Sequence, residues 1–241
     1  MPLPTSPPVA LITGATSGIG RATAFALGAL GWRVGVTART PAALEALLRD
    51  LRAAGITAAG LPADVAEPAQ VDAWVSACRD ALGSPITALV NNAGILIAKR
   101  LDDLTLDEFD AVQRTNVRAL FVTTKSALPG LRAHGAGATI VNVASLAARN
   151  GFVGGTAYTA SKHAALGFGR SLMLELRPEG IRVVTICPGS VDTPLLVNQP
   201  LLPSKPDRIL QPDDVAQTIV LAVTLPTRVL ISELDVRPTT P

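Results

Sequence analysis

The sequence predicts an α/β fold: a Rossmann-type, doubly wound sheet of about seven parallel strands with helices on both faces. Three observations predict it. Short β-rich apolar runs recur seven times, and several are continuous rather than alternating, as strands covered on both faces require. Helical patterns with their own start and stop signals lie between the runs, and repeated strand–helix–strand units imply parallel pairing through right-handed crossovers. The length, 241 residues, suits one α/β domain spanning 1–241.

The elements follow in order. Residues 1–8 are proline-rich, lack the basic end and apolar stretch of a secretion signal, and are expected to be a flexible extension. The first strand is expected over 9–13 and runs into a glycine-rich turn and a helix. The second covers 33–37, and Thr40-Pro41 then starts a helix with proline at its first position. Runs at 56–61 and 87–91 supply strands three and four. Thr105-Leu106-Asp107-Glu108 is a capping box that opens a helix running to about Arg132. The fifth strand is expected at 138–143. A long helix from about Thr156 to Leu176 stops at Pro178-Glu179-Gly180, before the sixth strand at 181–187. The proline-rich segment 194–211 reads as a substrate-side loop. Pro212-Asp213-Asp214 opens a last helix, and the seventh strand is expected at 228–232.

Composition excludes several function classes. Lys plus Arg is 21 and Asp plus Glu 19, a net charge of +2, which argues against a nucleic-acid partner. No run of 18 apolar residues occurs, so no membrane span is expected. Cys78 and Cys187 are far apart and form no CxxC, which removes a structural zinc site and suits a reducing compartment such as the cytoplasm. His134 reads as a helix-ending residue and His163 as exposed helix surface; neither has metal-ligand spacing, so no metal is expected. A hydrolase would need a G-x-S-x-G elbow, which is absent.

What remains points to a dinucleotide. The first strand enters Thr13-Gly14-Ala15-Thr16-Ser17-Gly18-Ile19-Gly20. Glycines let the backbone turn sharply and approach a ligand, and the following helix offers unpaired N–H groups and a positive dipole end to a pyrophosphate. After the second strand no acid is present to take a ribose 2′-hydroxyl, but Arg39 could fork a 2′-phosphate. NADP(H) is therefore favoured, with NAD(H) possible on the same fold. Tyr158, the only tyrosine, stands four residues before Lys162, so the two share a helix face, and a nearby cation would lower the phenol's pKa from about 10. A tuned phenol can give or take a proton near neutral pH. Arg149, Asn150 and Phe152 are candidates for a substrate pocket, against a loop that only packs.

Together with Asn91-Asn92-Ala93-Gly94, Asn116, Ser145 and Pro188-Gly189, these motifs resemble the short-chain dehydrogenase/reductase family, in its compact branch, over nearly the whole chain. The resemblance implies a catalytic set of Asn116, Ser145, Tyr158 and Lys162. Tyr158 would be the general acid or base and Ser145 would hydrogen-bond the substrate oxygen. Lys162 would depress the phenol's pKa and bind the nicotinamide ribose, and Asn116 would hold a relay water. It also implies cofactor contacts from Gly14, Thr16, Ser17, Gly18, Ile19, Gly20 and Arg39, and from Asp64 and Val65 at the adenine. Asn91, Asn92, Ala93 and Gly94 would flank the cofactor, with Pro188, Gly189, Val191 and Thr193 at the carboxamide. Some NADP-using relatives carry a basic residue where this chain has Ser17, so cofactor choice leans on Arg39. The substrate implied is a small carbonyl compound or alcohol, and the assembly a homodimer or homotetramer. A catalytically silent dinucleotide sensor is the alternative.

Overall fold

The computed structural model describes residues 7–83, 85–197, 199, 201 and 208–239. The apolar runs pair as a parallel sheet: β1 (Val9–Thr13), β2 (Arg33–Thr37), β3 (Ala58–Gly60), β4 (Ala88–Asn91), β5 (Thr139–Val143), β6 (Arg182–Pro188) and β7 (Glu233–Val236). Their order is β3-β2-β1-β4-β5-β6-β7. The chain winds outward from β1 to β3, then returns to the other side of β1 with β4. Leu11 pairs Gly35 on one side and Leu89 on the other. This reversal opens a crevice past the carboxyl ends of β1 and β4, where open α/β sheets bind ligands.

Alternate residues of each strand face opposite layers. On one face Ile12, Val34 and Val36 pack with Leu27 of α1 (Gly18–Ala29), Leu44 of α2 (Pro41–Ala53) and Ile219 of α8 (Pro212–Thr224). On the other, Leu11, Leu89 and Ile140 meet Trp74 of α3 (Pro68–Leu82), Leu131 of α5 (Ala119–His134) and Leu176 of α6 (Thr156–Leu176). α4 (Leu106–Gln113) opens with the expected capping box: Thr105 accepts from the Glu108 backbone N–H, and the Glu108 carboxylate accepts from that of Thr105. A four-residue helix, α7 (Pro194–Val197), begins the segment read as a loop. The part of that loop at 202–207 lies outside the described residues, as do residues 1–6 of the extension.

Three expectations are corrected. The helix expected from 105 to about 132 is split by a π-helical turn, Arg114–Arg118, which separates α4 from α5. The seventh strand lies at Glu233–Val236, not 228–232. The reason is Arg182, which is 5% exposed. Its guanidinium donates to the Thr139 hydroxyl and to the carbonyls of Gly137, Val223, Leu225 and Val229. Val229 thus serves a buried cation and a turn to Pro226, and pairing with β6 starts later, at Thr185 with Glu233. At the other end, Arg33 holds the carbonyls of Pro7 and Pro8, so these two residues are tied to the sheet edge rather than free.

Candidate active site

The crevice at the switch point has a volume of about 590 Å³. At one end, Thr13 closes β1 by accepting the backbone N–H groups of Asn92 and Ala93 on its hydroxyl, which donates to the Val90 carbonyl. Asn92 answers by donating to the carbonyls of Thr13 and Gly14. The turn between β1 and α1 is thereby locked to the end of β4. Gly14 (φ +62°) and Gly18 (φ +51°) take left-handed conformations that L side chains rarely adopt. A Cβ on Gly14 would stand 2.8 Å from the Ala93 Cα, and one on Gly18 2.8 Å from the Thr193 methyl. Ser17 is the N-cap of α1 but its side chain accepts no capping bond. The first-turn N–H groups of α1, with their positive dipole end, are left to the crevice.

Gly14, Thr16, Ser17, Gly18 and Ile19 line this end. Arg39 and Thr40 follow from β2, and among the described residues Arg39 makes no ion pair. Asp64 and Val65 line the same end. The Asp64 carboxylate accepts from the Ala66 N–H and pairs with Arg114 at 3.0 Å. Two expected contacts lie behind the wall. Gly20 is glycine because α1 crosses close to β4: a Cβ there would stand 2.5 Å from the Asn92 amide nitrogen. Asn91 points into the helix layer, donating to Thr124 and Asn142 and accepting from Thr123. Both support the cradle without lining it.

At the other end, Tyr158 and Lys162 project from α6 into the crevice as their spacing requires. Ser145 sits at the mouth of β5, where its Oγ accepts from the Ala147 N–H at 3.1 Å. The Ser145 hydroxyl and the Tyr158 phenol line the same wall of the crevice. Burial pushes the phenol up to about 12, and the neighbouring Ser145 hydroxyl acts in the other direction. Burial pushes Lys162 down to about 8. Its Nζ donates to the Val143 carbonyl at 3.0 Å and lies 5.5 Å from the Tyr158 ring centre. The expected lowering of the phenol by Lys162 is therefore not what this geometry shows; desolvation prevails. Asn116 lies in the π-helical turn, buried beside Lys162. Its amide accepts from the Ile95 N–H and donates to the Ile95 carbonyl and the Ser161 hydroxyl. Ser161 in turn donates to the Tyr158 carbonyl at 2.7 Å.

Ala93, Gly94, Pro188, Gly189, Val191 and Thr193 all line the crevice. Phe152 lines it too, with its ring edge-on to Tyr158 at 6.3 Å. Arg149 does not; it pairs with Glu233 and Asp235 on β7. Asn150 is likewise off the wall. Asn92, from the same motif, lines the crevice, and sequence reasoning missed the apolar wall of Ile95, Leu96, Leu195 and Leu196. For Leu195 and Leu196 the available signal was two leucines directly after Thr193-Pro194 in an otherwise proline-rich stretch.

Residues 8–201 match the family described as short chain dehydrogenase. The chain belongs to this family. Among curated members it is 37% identical over 187 residues to the 3-oxoacyl-[acyl-carrier-protein] reductase of Pseudomonas aeruginosa, covering 78% of this chain and 75% of that protein. Among solved structures, a point variant of actinorhodin polyketide ketoreductase with NADPH superposes with a TM-score of 0.87 at 34% identity, covering 95% of each chain. A short-chain dehydrogenase from Burkholderia cenocepacia in complex with NADP gives 0.85 at 35% identity, covering 96% of each. This short-chain dehydrogenase is thus an oxidoreductase by family, with the seven-stranded Rossmann-type sheet its sequence predicted.

Proposed function

We propose that the protein is an NADP(H)-dependent oxidoreductase that transfers a hydride between nicotinamide and a carbonyl or secondary alcohol, with Tyr158 as general acid or base. The observation that carries this reading is the convergence of Ser145, Tyr158 and Lys162 on one wall of the crevice, with the Lys162 Nζ 5.5 Å from the Tyr158 ring centre. The cofactor fits the residues present. The uncapped start of α1, with glycines that admit no Cβ, suits a pyrophosphate, and the unpaired Arg39 suits a 2′-phosphate. The NADPH and NADP of the two similar structures agree with that choice.

When bound, the cofactor supplies the hydride. The chain's own residues do the rest. Gly14 to Ile19 and Arg39 hold the anionic groups, while Ser145 and Tyr158 present two hydroxyls to one substrate oxygen. As negative charge develops there, both donors stabilise it, and the phenol passes its proton across. Lys162 is the cation nearest the phenol on this wall, and the Asn116–Ser161 bonds fix the backbone of the helix turn that carries Tyr158. Assembly as a homodimer or homotetramer is supported by exposed Phe121 on α5 and Leu174 on α6, and a reducing cytoplasmic setting by the two free cysteines.

The test is NADPH oxidation against a panel of aldehydes and ketones, with wild type and Tyr158→Phe. Binding is followed by NADPH emission, because Trp32 and Trp74 are buried away from the crevice. We expect turnover to fall by about 10²-fold or more while NADPH still binds, since general acid–base catalysis contributes about that much. Unchanged turnover would remove Tyr158 from the chemistry. NADPH binding with no wild-type turnover on any carbonyl would favour the sensor.

A further inference from the structure

The substrate end of the crevice is closed by three segments distant in sequence. The stretch after β4 brings Ile95 and Leu96, the stretch before α6 brings Phe152, and α7 brings Leu195 and Leu196. Leu96 is 9% exposed and packs in one cluster with Tyr158, Ala147 and Phe152, so this wall abuts the reacting phenol. Among the described residues, no charged side chain lines this lobe; the charged members of the crevice are Arg39, Asp64 and Lys162.

One side chain ties the walls together. Gln199, half-buried just beyond α7, accepts from the Ala98 N–H at 3.1 Å through its side-chain oxygen. Its amide nitrogen donates to the Leu96 carbonyl at 3.0 Å and to the Leu195 carbonyl at 3.3 Å. It therefore spans from the wall behind Leu96 to the helix that carries Leu195. The neighbouring contacts agree. The Lys99 N–H donates to the Gly154 carbonyl at 3.0 Å, and a Cβ on Gly154 would stand 2.8 Å from a Leu201 methyl. At the base of the segment, Leu210 pairs back to Ser190 and Asp192 at 3.0 and 2.8 Å. The segment is thus pinned at its root by backbone and at Gln199 by a side chain.

We infer that Gln199 is a positioning residue that latches α7 over the substrate lobe, and that the closed lobe selects uncharged, apolar ketones over ketones bearing a carboxylate. The selectivity half rests on the oxidoreductase reading above; the latch half does not. An amide suits the role because it both accepts and donates here, and a glutamate could keep only the bond from Ala98. A carboxylate entering the lobe would lose water with no cation among the described residues of its lining to meet it, and burying an unpaired charge is costly.

Two measurements test the inference. The first is hydrogen–deuterium exchange on wild type, Gln199→Ala and Gln199→Glu. Local opening sets exchange rates, and one lost hydrogen bond of about 1.4 kcal/mol is about tenfold. We expect the Ala98 amide to exchange about tenfold faster in Gln199→Ala, with α6 and the sheet unchanged, and Gln199→Glu to keep part of the protection. Unchanged exchange at Ala98, or faster exchange throughout the protein, would overturn the latch. The second compares acetophenone with para-acetylbenzoate as substrates. Wild type should prefer acetophenone by about tenfold or more in kcat/KM, the scale of leaving a buried charge unpaired. In Gln199→Ala the acetophenone KM should rise about fivefold or more while the NADPH KM stays within about twofold, because only the substrate wall is loosened. Equal use of both ketones would overturn the substrate class, and an unchanged acetophenone KM would overturn the latch. If wild type reduces no carbonyl at all, the oxidoreductase reading fails, and exchange at Ala98 still decides the latch.

Discussion

Arg39 offers the sharpest test of cofactor choice. It is exposed at the end of β2, immediately before α2, whose first turn holds no acidic residue and whose N-cap Thr40 makes no side-chain capping bond. Arg39 and an uncapped helix start therefore adjoin the same end of the crevice, and both attract an anion. A hydrogen bond to a charged group contributes about 1.5–3 kcal/mol, which is a factor of roughly 10 to 150 in an equilibrium constant. The lower part of that range applies, because Arg39 is solvated and its field is screened. Arg39→Ala should lower kcat/KM for NADPH by about 10- to 50-fold and change that for NADH by less than about threefold. Arg39→Asp should go further, by repelling the phosphate and offering an acceptor to a ribose 2′-hydroxyl. Among the described residues neither variant removes an ion pair, so the unfolding free energy should move by no more than about 0.5 kcal/mol. The assay is initial-rate kinetics with both cofactors at low and moderate salt; NADPH should weaken with salt more in wild type than in Arg39→Ala. An unaltered NADPH-to-NADH ratio in Arg39→Ala would refute the phosphate clamp.

Asn91→Ala should cost about 2–4 kcal/mol by urea unfolding, since it orphans buried partners in Thr123, Thr124 and Asn142, and should leave the NADPH KM within about threefold; a large rise in KM without loss of stability would restore a cofactor contact. Lys162→Met should change how stability depends on pH. Burial lowers the folded Lys162 from 10.5 to about 8, so between those values the folded chain binds fewer protons than the unfolded one, and wild-type stability rises with pH by roughly 3 kcal/mol across the window. The difference in unfolding free energy, wild type minus variant, should therefore increase from pH 7.5 to 9.5, and parallel curves would sink the argument.

The sheet was legible because a strand covered on both faces leaves an unbroken apolar run, and because Thr105 and Glu108 or Tyr158 and Lys162 interact across one helical turn. Local spacing carries local contacts. The misses are contacts that local spacing cannot carry. Arg182 displaces the seventh strand by reaching carbonyls more than 40 residues away. The Gln199 bridge joins positions 101 and 103 residues apart. Asn91 and Asn92 were read alike because they are neighbours, yet successive residues at a strand end face opposite ways, so one enters the helix layer and the other braces the turn. The π-helical turn adds no residue type that a plain helix would refuse, and so left no mark in the sequence at Arg114–Arg118.

The acid–base pair behaves in the structure differently from its spacing alone. Four residues of separation place Lys162 near Tyr158, but proximity sets a pKa only if Coulomb attraction outweighs desolvation. Here the ammonium is turned to the Val143 carbonyl, 5.5 Å from the ring centre, and both groups are buried, so each is driven toward its neutral form. With burial holding the phenol well above its ordinary range, the protonated form prevails at pH 7. The proposed carbonyl reduction begins from the protonated phenol, which is the state that burial favours, and Ser145 lines the same wall. The reverse oxidation needs the phenolate and must first overcome that burial. The residue spacing thus identifies the pair, while the depth at which the fold places it decides which partner holds the proton at rest.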